Sequence, residues 1–107
     1  MDRMEGRQSA LDMMVLKALT LEPMHGWGIS QRIQQWSRDA LQITQGSLYP
    51  ALHRLERDGY IRSEWQASEN NRRAKYYALT AIGKRQLEVE RKQWTAFSRA
   101  VEQVMQA

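Results

Sequence analysis

Apolar residues fall at helical spacing in four stretches of this chain and alternate with polar ones in two short stretches between them. Leu11, Met14, Val15, Ala18 and Leu19 lie at i, i+3, i+4, i+7 and i+8, one face of a helix that Ser9 is placed to cap. Met13 and Leu16 make the same helix apolar on a second side, as expected of a helix that meets its own core and a further surface. Glu22-Pro23 closes it, because a residue before proline is driven out of helical geometry. After MHGWG, a second helix sets Ile29, Ile33 and Trp36 on one face and Gln31, Arg32 and Gln35 off it. A third starts near Thr44, whose hydroxyl can cap the free amides, and carries the stripe Leu48, Leu52 and Leu55. Asp58-Gly59 ends it, with glycine suited to the left-handed position beyond a helix. Ile61 to Trp65 and Lys75 to Leu79 read as two short strands, with Ile61, Trp65, Tyr77 and Leu79 inward. Thr80 caps a last helix whose apolar positions Leu87, Trp94, Phe97, Val101 and Val104 follow a heptad seam.

These elements predict a fold that is mainly α with a small β-hairpin, a winged helix-turn-helix followed by a C-terminal dimerisation helix. The chain is expected to be a single domain over 1–107, with the winged part at about 9–80 and the last helix at about 81–106. Thr44, Gln45, Gly46 and Ser47 make the front of the third helix small and polar, so its backbone can approach another surface closely. Pro50 is read as a first-turn proline, where the missing N–H is harmless. Tyr49, His53 and Arg54 lie off the leucine stripe, and so does Arg57. A helix with a small polar front and a cationic exposed side suits a DNA major groove. Between the strands, Asn70 and Asn71 form a turn beside Arg72, Arg73 and Lys75, a cationic hairpin tip fit to straddle a sugar-phosphate strand. The last helix has too short a seam for a free coiled coil, and it is expected to pair with the over-apolar first helix of a second copy. That interface would use Leu11, Met14, Leu87, Trp94, Phe97, Val101 and Val104.

Composition narrows the field without deciding it. Across 107 residues there are 16 Lys and Arg against 12 Asp and Glu, a formal net charge of +4, which fits a polyanionic partner and many other basic proteins. Without cysteine there is no disulfide framework, thiolate zinc site or thiol nucleophile. His25 and His53 show no metal-binding spacing, Ser47 lacks a nucleophile-elbow pattern, and no metal or other cofactor is expected. A polar N-terminus and the absence of a long apolar run give no signal peptide or membrane span, so a soluble cytoplasmic protein is expected. Enzymatic function is therefore disfavoured, and a winged helix that binds protein instead of DNA is the stronger competitor. It would have no use for an arginine-loaded hairpin tip.

The segment from Gly46-Ser-Leu-Tyr-Pro to Asp58-Gly59, the wing RRAKYYALT and Ile82-Gly83 resemble the PadR family of bacterial transcription regulators. The resemblance runs from Leu11-Asp12 through MHGWGIS to the last helix, and the single short C-terminal helix is similar to the compact subfamily. The ENNRRAKYY wing is similar to a subgroup abundant in acidobacteria, often encoded beside membrane permeases. The resemblance implies a homodimeric repressor on a pseudo-palindromic double-stranded operator. It implies DNA contacts by Tyr49, by Ser47, His53 and Arg54, and by the wing residues Arg72, Arg73 and Lys75. Some compact members also hold a small aromatic ligand between subunits, which makes Trp94 and Phe97 candidate effector-binding residues. Each assignment has a plainer alternative. Tyr49 can pack on the second helix, His53 can be solvated, Trp94 can be core, and Gln31, Arg32 and Gln35 can be either phosphate braces or ordinary surface. Trp27, Trp36 and Trp65 are read as structural.

Overall fold

The first helix is apolar on two sides because it is the centre of the molecule. In the computed structural model, which describes residues 6–67, 70 and 72–107, α1 (Gly6–Ala18) packs against each of the other three helices. These are α2 (Gly26–Trp36), α3 (Gln45–Arg57) and α4 (Ala81–Gln106). Val15, Leu16, Ala18 and Leu19 are buried between them, and Leu11, Met13 and Met14 pack on the same core. Its second apolar side therefore meets α4 of its own chain before any partner. Ser9 lies inside α1, since the helix already begins at Gly6, so it is not the cap.

Helix α2 starts on an unusual cap: the Gly28 N–H donates to His25 Nδ1 at 3.0 Å. Ile29 and Ile33 enter the core as expected, but Trp36, the last residue of α2, is half exposed. Its ring carries the Arg32 guanidinium 5.5 Å from its centroid. The turn that follows places Arg38 and Asp39 in left-handed geometry, with φ of 54° and 65°. Thr44 then caps α3, accepting from the Ser47 N–H at 3.2 Å. Leu48, Ala51, Leu52 and Leu55 bury the inner face. Pro50 stands one turn deeper than expected, since α3 begins at Gln45, and it withholds the N–H that the Gly46 carbonyl would otherwise accept. Gly59, at φ +81°, closes the helix, and the Tyr60 N–H returns to the Leu55 carbonyl at 2.9 Å.

Strands β2 (Ile61–Ala67) and β3 (Arg73–Leu79) pair antiparallel, with Ile61 opposite Leu79 and Ala67 opposite Arg73. Both run further toward the tip than the alternation indicates. A strand that the sequence pattern does not predict, β1 (Met24–His25), adds to the free edge of β3 and makes the sheet three-stranded in the order β1-β3-β2. Ile61 and Tyr77 face the core; Trp65, expected beside them, is 58% exposed because the hairpin has by then passed the end of the core. Asn71 lies outside the described residues.

Helix α4 is fixed at its start. The Thr80 N–H donates to the Tyr60 carbonyl at 3.1 Å, its hydroxyl donates to the Gly59 carbonyl at 2.7 Å with the Tyr60 carbonyl oxygen also at 3.0 Å, and Oγ1 accepts from the Gly83 N–H at 3.0 Å. Gly83 is required there, since a Cβ would overlap the Tyr60 carbonyl oxygen. Leu87 is the last buried residue of α4; beyond Glu90 every residue is exposed except the half-buried Phe97. The helix thus runs well past the body, and the molecule measures 56 × 29 × 23 Å along its principal axes. No described helix is long and apolar enough to cross a membrane.

Candidate nucleic-acid interface

The leucine stripe turns one side of α3 into the core, and what remains outside is Thr44 at the cap and Gln45, Gly46, Ser47, Tyr49, Pro50, His53 and Arg57, the last paired with Asp58 at 3.3 Å. The small residues at the start of α3 leave its free amides open to an approaching surface, the property that draws phosphate to helix N-termini. A methyl group added at Gly46 would have Thr44 Oγ1, 3.9 Å away, as its nearest neighbour, so the approach is unobstructed. A cleft of about 290 Å³ separates this front from α2, with Gln31, Gln34, Gln42, Thr44, Gln45 and Tyr49 in its wall.

Tyr49 meets both of its alternatives halfway. Its ring lies so close to Gly26 that a Cβ there would come within 2.6 Å of the phenolic oxygen, yet 45% of the residue is exposed. Arg54 is placed differently from the expectation. Its guanidinium turns back to α1 and donates to Asp12 Oδ1 at 2.9 Å, in a half-buried pair that ties α3 to α1. Burial raises the Asp12 carboxyl above its ordinary value even with Arg54 beside it, the loss of hydration outweighing the attraction of the cation. Arg32 is likewise turned inward, with Nη1 on the Ala18 carbonyl at 3.2 Å and Nη2 3.7 Å from Glu22.

The three wing cations part company. Lys75 is on the sheet face that turns toward α3, with its ammonium 3.5 Å from Glu56 and 5.8 Å from the Tyr77 ring centroid. Glu56 also accepts from the Ser63 hydroxyl, so this carboxylate clips the hairpin to α3. Burial, with Glu56 nearby, pushes the Tyr77 hydroxyl up from its usual value. Arg73 is exposed and stacks over Trp65 at 5.7 Å, which gives that exposed indole a partner. Arg72 is exposed at the tip. Of the three, only Arg72 and Arg73 are exposed.

Trp27, expected to be structural, stands outside the core. The first turn of α2 leaves it 63% exposed, in the wall of the α2–α3 cleft and also of a larger groove, about 610 Å³, between β1 and the wing. His25, Tyr76, Arg72 and Arg73 share that second groove. A sequence signal does exist: Trp27 sits two residues from Ile29, off the stripe that Ile29 and Ile33 define.

Of the residues expected between subunits, Leu11 and Met14 are part-buried against the chain's own core and Leu87 is buried in it. Trp94, Val101 and Val104 are exposed, and the Trp94 and Phe97 rings meet at 6.1 Å. Met13, Met14, Lys17, Leu87, Arg91 and Trp94 border an apolar hollow of about 480 Å³ between α1 and α4; Phe97 stands outside its wall. Among the described residues no group of three or more His, Asp or Glu gathers where it could hold a metal ion.

A family model described as the transcriptional regulator PadR-like family matches residues 15–89. A transcriptional regulator of Mycobacterium tuberculosis is 31% identical over 97 residues, which cover 91% of this chain and 87% of that protein. Among solved structures, a transcriptional regulator from Clostridium thermocellum superposes with a TM-score of 0.81 at 26% identity, over 90% of this chain and 93% of that one. A PadR family transcriptional regulator from Eggerthella lenta gives a TM-score of 0.76 at 30% identity, over 95% and 87%.

Proposed function

The chain belongs to the PadR-like family of transcriptional regulators, which are not enzymes, and from that premise we propose that it is a homodimeric repressor of a pseudo-palindromic operator. One observation carries the DNA reading: the small polar front of α3 and the outward charges of Arg72 and Arg73 stand clear of the carboxylates that occupy the neighbouring cations. Two such heads, one per subunit, would enter successive major grooves, with Ser47 and His53 beside base edges and Tyr49 on the backbone. The second subunit is supported by α4, whose outer half presents Trp94, Phe97, Val101 and Val104 with little cover from its own chain. The hollow between α1 and α4 favours a small aromatic or hydrophobic effector, with Trp94 in its wall. Such a ligand acts only by binding two arrangements of the dimer unequally.

Salt titration of duplex binding tests this. Each phosphate neutralised contributes about −0.9 to the slope of log affinity against log salt concentration. Arg72→Ala and Arg73→Ala are expected to flatten that slope by about one each and to weaken all duplexes alike. Lys75→Ala should change it less, because the ammonium already faces Glu56. Arginine variants that bind like wild type at every salt concentration would remove the wing from the interface. A chain that shows no salt-sensitive affinity for any duplex, including its own promoter, would overturn the reading as a whole.

A further inference from the structure

An indole does not stay 63% exposed for the sake of a core, and Trp27 contributes nothing to this one. Its position is shared between two concavities. On one side it faces the cleft that holds Thr44, Gln45 and Tyr49 at the front of α3; on the other it faces the groove that holds Arg72 and Arg73. Among the described residues no other borders both hollows. Trp27 therefore stands between the front of α3 and the wing arginines.

Donors predominate among the charged and ring groups around it. Indole nitrogen is a donor and never an acceptor, and among the described residues no protein group takes the Trp27 N–H. His25 uses Nδ1 to accept from Gly28, which leaves Nε2 as the N–H of that tautomer, on a ring that packs 6.4 Å from Trp27 and 5.3 Å from Tyr76. Arg72 adds guanidinium donors and Tyr76 a phenol. Glu22, at the outer end of the groove, is the one carboxylate among the described residues of its wall and is drawn toward Arg32 at 3.7 Å. With two arginines against one carboxylate, and Asn70 and Tyr76 able to donate, this aromatic wall suits phosphate oxygens and a deoxyribose ring better than a cation.

We propose that Trp27 is a DNA-backbone contact, its indole N–H donating to a phosphate oxygen and its ring lying on the adjoining sugar, so that it joins the α3 and wing contacts into one continuous track. This rests on the DNA-binding reading above and adds a residue to it. The contact fixes how far the duplex sits from α3 and reads no base.

A neutral donor differs from a cation in how salt reveals it. It strengthens binding without releasing a counterion, so its removal lowers affinity and leaves the salt slope alone. The experiment measures affinity for one duplex across a salt series, by fluorescence anisotropy of a labelled oligonucleotide, for the full chain and for Trp27→Phe, Trp27→Ala and Arg72→Ala. Trp27→Phe keeps the ring and removes the N–H, and about a tenfold loss at every salt concentration with an unchanged slope is expected. Trp27→Ala should lose more, whereas Arg72→Ala should flatten the slope. Melting temperatures near wild type for both Trp27 variants are expected of so exposed a side chain and separate lost contact from lost fold. Wild-type affinity in Trp27→Phe and Trp27→Ala, with wild type itself binding, overturns the contact and leaves the repressor reading intact. Absence of binding by wild type overturns both.

Discussion

Gly83→Ala sets two physical rules against each other, and the structure decides between them. By helix propensity alone, alanine in α4 should stabilise the protein by about 1 kcal/mol. The geometry opposes this. The new methyl would overlap the Tyr60 carbonyl oxygen, which is backbone and cannot rotate away, and would press on Leu79 Cδ1 at 2.8 Å. To relieve the overlap, the first turn of α4 must lift from the α3–β2 corner. That movement strains the hydrogen bonds from the Thr80 N–H and hydroxyl to the Tyr60 and Gly59 carbonyls and loosens Leu87 in the core. Overpacking of this kind costs about 1–3 kcal/mol, and each hydrogen bond lost costs about 1 kcal/mol more. After the propensity gain is subtracted, a net loss of about 2–4 kcal/mol remains, which for a domain of this size lowers the melting temperature by roughly 10–20 °C. Thermal unfolding followed by far-ultraviolet circular dichroism measures it, at one fixed protein concentration because the proposed dimer would make the midpoint depend on concentration. A variant as stable as wild type, or more stable, would refute the close approach of α4 to Tyr60.

Gly46→Ala is the complement, since open space surrounds that position. Stability should hold or rise by up to about 1 kcal/mol, while duplex affinity falls as the methyl holds α3 off the backbone. Equal affinity in a titration would show that Gly46 is not approached. Asp12→Asn tests the buried pair through pH. Because the folded-state carboxyl is raised above 3.8, its contribution to stability is full below that value and is lost as pH rises through the raised one. Asparagine cannot titrate, so urea unfolding should show the variant gaining on wild type across that interval; a difference that stays constant with pH would refute the assignment.

What could be read from the chain was what neighbouring residues decide among themselves. Thr44, Gly59 and Thr80 act within a turn of their own position, and each is found in the role its residue type suggested. The leucine stripe of α3 is local in the same sense. The departures concern partners distant in sequence. Two residues, Met24 and His25, have no alternation to betray a strand, and β1 exists only because β3 offers a free edge some 50 positions later. Arg54 looks like a groove-facing cation until α1, folded beside it, presents Asp12 from 42 positions away. Lys75 belongs by sequence to the wing tip, yet the pleat that puts Tyr77 in the core puts Lys75 on the same face, against Glu56. Tryptophan misled most. Its bulk suggests interior, whereas Trp27, Trp36 and Trp65 all lie toward the ends of elements, where the core has run out.

The long last helix behaves as a lever. Its last fully buried residue is Leu87, and the 19 residues from there to Gln106 extend about 28 Å beyond that anchor. A tilt of about 7° carries the far end through about 3.4 Å, the rise of one base-pair step. In the proposed homodimer, clasped along these arms, the separation of the two α3 helices would follow from an angle set near the hollow between α1 and α4. Under the proposed function, operator spacing would then be set by how that arm is pitched, separately from the side chains proposed to touch bases.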